Sequence, residues 1–325
     1  MARVFIDGFE TQKWLASDGG HWDVEVGSGE NVFAGYSSGY CFGRPSNSGN
    51  LDKYLPAASS YYFGFHFKGT YFGALFKIYS GSTCLGSLYY SSTTGLFSAY
   101  KGDLATWLAA GTIPINALEW CHIQIYYLPH ATTGTFQVKV NGVLDINYSG
   151  STSPSTVNIN KFSLYCPGGS ASFYWDNVVV DDAAWTGVSR IAILTPSGAG
   201  NSTQWDPSAG SNYACVDEVP YSDTDYIYTN VVDEVDTYAL SDLPSEAAVI
   251  KCVQVAARAR KEGASTPQNI ALAVRTTGGD AYSADLLLQT SFIEHSNIWE
   301  TNPGTSSPWT VSEVNAMEAG VKSRT

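Results

Sequence analysis

The sequence predicts an all-β protein built from two antiparallel domains, the second smaller and closed by a short C-terminal helix. Three observations carry this. Apolar and polar residues alternate with a period of two over long stretches, the spacing of a strand with one buried face. Aromatic residues make up 14% of the chain, as much as all charged residues together, which favours strands over helices. Finally, 31 glycines interrupt the alternation often enough to make many short strands joined by turns. At 325 residues the chain is long enough for about two domains.

Taken in order, Val4–Phe9 reads as the first strand. Residues 10 to 30 are rich in Gly, Asp and Trp, and residues 36 to 50 read as a loop anchored by Tyr36, Tyr40 and Phe42. From Tyr61 the pattern is strong: Tyr61, Phe63, Phe65 and Phe67 share one face, with His66 and Lys68 on the other. Ala74–Ile78, Leu85–Tyr90 and Leu96–Tyr100 follow. Asp103–Ala110 breaks the pattern and reads as a short helix or a turn. The clearest stretch is Glu119–Tyr148. There Cys121, Ile123, Ile125 and Tyr127 alternate with His122 and Gln124, then Phe136, Val138 and Val140 repeat the pattern, and Asn141-Gly142 supplies the two positive-φ residues of a tight hairpin turn. Phe162–Cys166 and Phe173–Val180 complete roughly ten strands, and the alternation stops at Asp181–Ser189. The domain boundary is therefore expected after residue 185, giving domains 1–185 and 186–325.

In the second domain, strands are expected at Ile191–Leu194, Tyr226–Thr229, Thr237–Leu240, Val249–Ala259, Ile270–Arg275 and Asp285–Phe292, with a long turn-rich loop around Trp205. Thr310 and Glu313 have capping-box spacing, and Val311, Val314, Met317 and Val321 fall near one helical face, so a helix is expected near 311–321. It docks on its own domain or on a neighbouring subunit.

Charge narrows the partners. Residues 1–185 hold 9 Lys+Arg against 13 Asp+Glu and the remainder 8 against 17, within a total of −13. Without a basic face, nucleic acid is not an expected partner. No apolar run of 18 residues is present, so no membrane-spanning helix is expected. The start moves almost directly into a strand pattern without a signal-peptide-like segment, and export by that route is not expected. The six cysteines have neither zinc nor redox spacing; buried thiols and disulfides are the alternatives.

Few residues carry a chemical signal. Trp14, Trp22, Tyr36 and Tyr40 are candidates for stacking on sugar rings, set against the alternative that the tryptophans cap a sandwich core. A retaining glycosidase needs two carboxyls about 5 Å apart. Asp23 and Glu25 alone have strand-alternate spacing, and without a third acid no catalysis is expected. Asp176, Asn177 and Asp181, with Asp182 beside them, offer oxygen ligands for calcium, or are solvated acids at a strand end. The acids from Asp217 to Asp236 read as a solvated face. The five histidines lack ligand spacing, and no cofactor is expected.

Four segments together, DGFE (7–10), WCHIQI (120–125), TFQVKVNG (135–142) and YWDNVVV (174–180), give the first domain a resemblance to the concanavalin A-like (laminin-G-like) lectin/glucanase jelly roll. The glucanase motif of two Glu flanking an Asp at alternating positions is absent, so the resemblance implies the scaffold without the hydrolase. The whole arrangement, with TQWDPSAGSNYACVDEV (203–219) and NPGTSSPWTVSEVNAMEAGVK (302–322), resembles structural proteins of tailed bacteriophages that pair a lectin-like domain with a second β domain. That resemblance implies a virion structural or decoration protein of capsid, neck or tail, one domain anchoring and the other displayed. Its implied partners are other virion proteins, further copies of itself and host surface polysaccharide. The alternative reading is a carbohydrate-binding lectin-like adhesin module.

Overall fold

The computed structural model describes residues 3–15, 20–36, 39–264 and 267–325, with residues 30–33 as backbone only. Trp14, Trp22, Tyr36 and Tyr40 lie among these; Ser37 and Ser38 of the expected aromatic-anchored loop lie outside them. The chain is nearly all β with one short C-terminal helix. It divides into two compact units, one of residues 1–10 and 22–191, the other of residues 11–21 and 192–325.

The strands of the first unit are β1 (Arg3–Asp7), β2 (Val24–Val26), β3 (Glu30–Phe33), β4 (Tyr40–Pro45), β5 (Ser48–Ala58), β6 (Tyr61–Thr70), β7 (Phe72–Ser80), β8 (Thr83–Ser91), β9 (Leu96–Lys101), β10 (Thr106–Ala110), β11 (Cys121–Leu128), β12 (Gly134–Val140), β13 (Val143–Gly150), β14 (Ile159–Pro167) and β15 (Ser172–Asp181). That is five more than alternation predicts. The additions lie where Gly and Ser dilute the pattern: the expected loop at 36–50 contains β4 and the start of β5, and Asp103–Ala110 is a turn leading into β10 instead of a helix.

One sheet has the order β13-β12-β11-β6-β15-β4-β3, with β1 also paired to β15; the other runs β10-β9-β8-β7-β14-β5-β2. Every pairing is antiparallel. The odd-numbered aromatics of β6 point into the core as their spacing requires: Phe63 meets Phe76 and Phe162 at 5.0 and 5.4 Å, and Phe65 meets Phe76 at 5.2 Å between ring centroids. Such aromatic pairs add about 0.5–1.5 kcal/mol each beyond the area they bury.

The second unit contains β16 (Pro196–Thr203), β17 (Asp206–Pro207), β18 (Ile227–Tyr228), β19 (Val235–Leu240), β20 (Val253–Ala259), β21 (Asn269–Thr276), β22 (Gly279–Tyr282), β23 (Leu286–Leu287), β24 (Ile293–Trp299), β25 (Thr301–Asn302), β26 (Ser307–Pro308), α1 (Val311–Ala316) and β27 (Glu318–Arg324). Its main sheet has the order β16-β19-β27-β21-β22, with β23 also on β21, and β20 pairs with β24 separately. Val253 and Val255 of β20 join Ile270, Leu272 and Val274 of β21 around Trp309, Val314 and Met317 in one core.

Three expectations are corrected here. The Ile191–Leu194 segment is no strand; the Gly- and Ser-rich residues after it form edge strand β16. The Asp285–Phe292 run yields only two-residue β23, and the real strand, β24, begins at Ile293. The C-terminal helix is capped as expected, the Thr310 side chain accepting from Glu313 N–H and Glu313 accepting from Thr310 N–H, but it ends at Ala316. Residues 318–324 are a strand lodged between β19 and β21. No helix among the described residues is long and apolar enough to cross a membrane.

Candidate functional site

The outer face of the eight-stranded sheet carries two rows of side chains that core packing does not explain. Pairing sets them. Opposite His66 on β6 stand His122 on β11 and Asp176 on β15; two residues along, Lys68 stands opposite Tyr174, with Trp120 at its other side. Residues two apart on a strand share a face, so the rows His122–His66–Asp176 and Trp120–Lys68–Tyr174 lie side by side, roughly 7 Å apart from the strand rise.

The first row is buried. His66 is fully covered and His122 and Asp176 nearly so, which corrects the expectation that His122 and Gln124 face water. Gln124 is covered by the segment after β15, its Oε1 accepting the N–H of Gly187 at 2.9 Å. Tyr36 lies flat on His66, with centroids 3.6 Å apart and planes at 19°, while the rings of His66 and His122 are 4.8 Å apart. Neither ring nitrogen of His66 has a hydrogen-bond partner among the described residues, nor does Nδ1 of His122. Burial therefore holds His66 down at about 3, with the charges of His122 and Arg190 adding to the effect, and His122 at about 4. Both are neutral imidazoles.

Two carboxyls fasten Tyr36 and its loop to the sheet. Asp176 Oδ2 accepts the N–H of Tyr36 at 2.6 Å, and Glu10 Oε2 accepts that of Tyr40 at 3.3 Å. Gly39 is needed beside them, since it has φ +75° and a Cβ there would sit 2.0 Å from the Glu10 carboxylate. Burial pushes both carboxyls up to about 7, against the pull of these backbone amides. A bulge follows Asp176 in β15, and Asn177 adopts φ +51°. At that point β15 exchanges neighbours along one edge, pairing with β4 before the bulge and β1 after it.

The second row is partly exposed. The Lys68 ammonium lies 4.6 Å from the Trp120 ring centroid and 5.1 Å from that of Tyr174. Tyr36, 38% exposed, meets Trp120 edge to face at 6.4 Å, so the cover of the buried row and the partly exposed row form one continuous surface.

The residues singled out from sequence scatter around this surface. Tyr36 is on it, and the backbone of Tyr40 helps to fasten it. Of the two readings of Trp22, sugar contact and core, the structure bears out the core: its ring is fully buried between Phe5, Phe9 and Phe162, and its indole N–H donates to Asp7 at 2.6 Å, so it has no face to offer a ligand. Trp14 is partly buried in the segment that groups with the second unit. Asp176, Asn177 and Asp181 do not converge as metal ligands. Asn177 Oδ1 accepts Ile191 N–H at 2.6 Å, and Asp181 accepts the N–H groups of Ala183 and Ala184 at 2.8 and 3.0 Å. Among the described residues no group of three His, Cys, Asp or Glu could hold a metal ion. Asp23 and Glu25 form no catalytic pair either: Glu25 is held by Arg44 at 3.0 Å, and Asp23 by Lys53 and the N–H of Tyr54. In the second unit, Asp236 of the expected solvated acidic face is buried and accepts the N–H of Trp205. All six cysteines are free thiols.

Single residues did not reveal Glu10, His66, Lys68, Trp120, His122 and Tyr174. A signal was present in pairs: His66-x-Lys68, Trp120-x-His122 and Tyr174-x-Asp176 each place a polar and an aromatic or cationic residue on one strand face. Only the pairing register brings the three pairs together.

No family model and no curated protein matches the chain. Among solved structures, it is similar to a carbohydrate-binding module of Bacillus subtilis (CBM66), with 12% identity over 49% of this chain and 96% of that one and a TM-score of 0.35. It is also similar to the metal-free carbohydrate recognition domain of Emp46p, with 11% identity over 53% and 99% and a TM-score of 0.37. A Bacillus subtilis protein of unknown function with a galectin-like fold gives 10% identity over 57% and 98% and a TM-score of 0.39. At such identities and scores, what this chain binds has to be argued from its own residues.

Proposed function

We propose that the first unit binds a glycan on the outer face of its eight-stranded sheet and catalyses no reaction. The supporting observation is the partly exposed row: Trp120, Lys68 and Tyr174 join exposed Tyr36 in one surface of aromatic rings and hydrogen-bonding groups, seated on the buried row His122–His66–Asp176. A sugar ring has apolar C–H faces that pack on aromatic rings and hydroxyl edges that need donors and acceptors, and such a surface supplies both. The carboxyls near the rows argue for binding rather than hydrolysis, because both are committed to backbone amides of the Tyr36 loop. Glycan-array screening followed by calorimetric titration tests this. We expect millimolar to micromolar binding that Tyr36→Ala and Trp120→Ala each weaken at least tenfold, with no release of reducing ends. Absence of binding across the array would refute the reading.

The virion setting implied by the phage-protein resemblance concerns where such a module is mounted, and we propose it separately: one unit anchors the chain to a particle and the other is displayed. The implied partners are other virion proteins and further copies of this chain. Micrographs of particles assembled without this chain would lack a defined density; particles identical to the complete ones would refute that placement.

A further inference from the structure

We infer that this face selects an acidic sugar, the ligand carboxylate being taken by the Lys68 ammonium; the inference rests on the glycan-binding reading above. The chain carries a net −13, so an anionic ligand is repelled over most of its surface and needs a local cation to hold it. Most cations of the first unit are already engaged. Arg44 pairs with Glu25, Lys53 with Asp23, Lys77 with Asp103 and Lys161 with Asp52, at 2.8 to 3.3 Å, and Lys101 donates to Ser151. Lys68 has no carboxylate within ion-pair distance among the described residues. It lies between two aromatic rings that attract its charge without neutralising it. An ammonium has three donors, and two ring contacts leave hydrogen-bonding capacity for a carboxylate.

The surroundings favour the same ligand. Glu10 and Asp176, the nearby acids, are committed to the N–H groups of Tyr40 and Tyr36 and so do not compete for Lys68. Lys139 provides an internal comparison. It too packs on an aromatic ring, Trp185 at 4.0 Å, but it stands opposite Gln124, across the His122–His66 row from Lys68.

The experiment is calorimetric titration of the full chain with three probes: an oligogalacturonate, its fully methyl-esterified form, and sulfated dextran. Acid and ester share the ring and differ in the charge. We expect the acid to bind at least tenfold tighter than the ester. Lys68→Met should abolish that difference, Lys68→Arg should keep most of it, and Lys139→Met should leave it unchanged. Equal binding of acid and ester, or a preference that survives in Lys68→Met, would overturn the inference while leaving the glycan reading intact. Equal binding of sulfated dextran and oligogalacturonate, unaffected by Lys68→Met, would also overturn it by reducing the effect to general charge. No binding to these probes or to a neutral glycan panel would instead remove the reading on which it rests.

Discussion

His66 and His122 face each other across hydrogen-bonded strands with their rings 4.8 Å apart, and burial keeps both neutral. A covered imidazole without hydrogen-bond partners costs stability, and an apolar residue of similar shape removes that cost. His66→Phe is therefore expected to stabilise the fold by about 1 kcal/mol at pH 8. The sign with pH follows from linkage. The folded-state value, about 3, lies below the ordinary 6.5, so the unfolded chain takes up the proton first and native stability falls as pH drops through 6.5. The variant escapes this loss, and its advantage should grow by about 2 kcal/mol between pH 8 and pH 5. Chemical denaturation at both pH values measures it; a variant less stable than the parent at pH 5 would contradict the burial argument.

Asp176 and Glu10 give ligand binding a pH dependence of its own. Both sit near 7 and both accept backbone N–H groups from the loop that carries Tyr36. Protonation removes acceptor capacity, so the loop loosens as pH falls through 7. Besides burial, the charges that tune this are Asp7, which raises both, Arg190, which lowers Glu10, and Glu10 itself, which raises Asp176. Affinity for a neutral glycan is expected to fall severalfold from pH 8 to pH 6, and Tyr36→Ala should flatten the profile. Stability runs the other way, since a carboxyl raised from 3.8 to about 7 favours the fold at acid pH and loses that contribution as pH rises through 7. Titrations at three pH values, read beside melting curves, separate the two trends.

Glu25 distinguishes a structural acid from a catalytic one. Its carboxylate lies 3.0 Å from the fully buried guanidinium of Arg44 and also accepts the N–H of Gly29 at 2.5 Å. Removing one partner of a largely buried pair strands the other charge, so Glu25→Ala should cost about 2–3 kcal/mol, while the double substitution with Arg44→Met should recover part of that loss. Urea denaturation of the four proteins completes the cycle. A Glu25→Ala variant of unchanged stability would show the ion pair to be unimportant to the fold.

The first sandwich was legible because its central strands keep one apolar face. Phe63, Phe65, Ile123, Ile125, Phe136 and Val138 all read correctly as core. Where strands lack that contrast the pattern fades. β4 and β5 hide in Gly, Ser and Asn, and β16 is a Gly- and Ser-rich edge that buries little. The proposed site was less legible for a related reason. His66 and His122 alternate with apolar neighbours, so they look like the wet side of a strand; what covers His66 is Tyr36, thirty residues away in sequence, held there by Asp176 from a third strand. Trp22, in a polar stretch, leaves the core and sugar-contact readings both open, and the Asp7 hydrogen bond that lets its indole be buried decides for the core.

Gly320 decides between two accounts of the C-terminus with opposite signs. If residues 311–321 formed one helix, Gly320→Ala would add roughly 1 kcal/mol of stability through helix propensity. In the structure the helix ends at Ala316 and Gly320 sits in β27, paired with Thr237 on one side and Ala273 on the other. A Cβ there would lie 1.9 Å from the Asp236 carbonyl oxygen and 2.8 Å from the Thr237 Cα, both backbone atoms with little freedom to move. Gly320→Ala is therefore expected to destabilise the second unit by about 1–3 kcal/mol, the range of an overpacked interior. Because β27 joins β19 to β21, the loss should appear as earlier unfolding of the second unit, followed by fluorescence of its buried Trp309. A stabilised variant would restore the helix account, and an unchanged one would mean that the strands separate enough at this point to admit a methyl group.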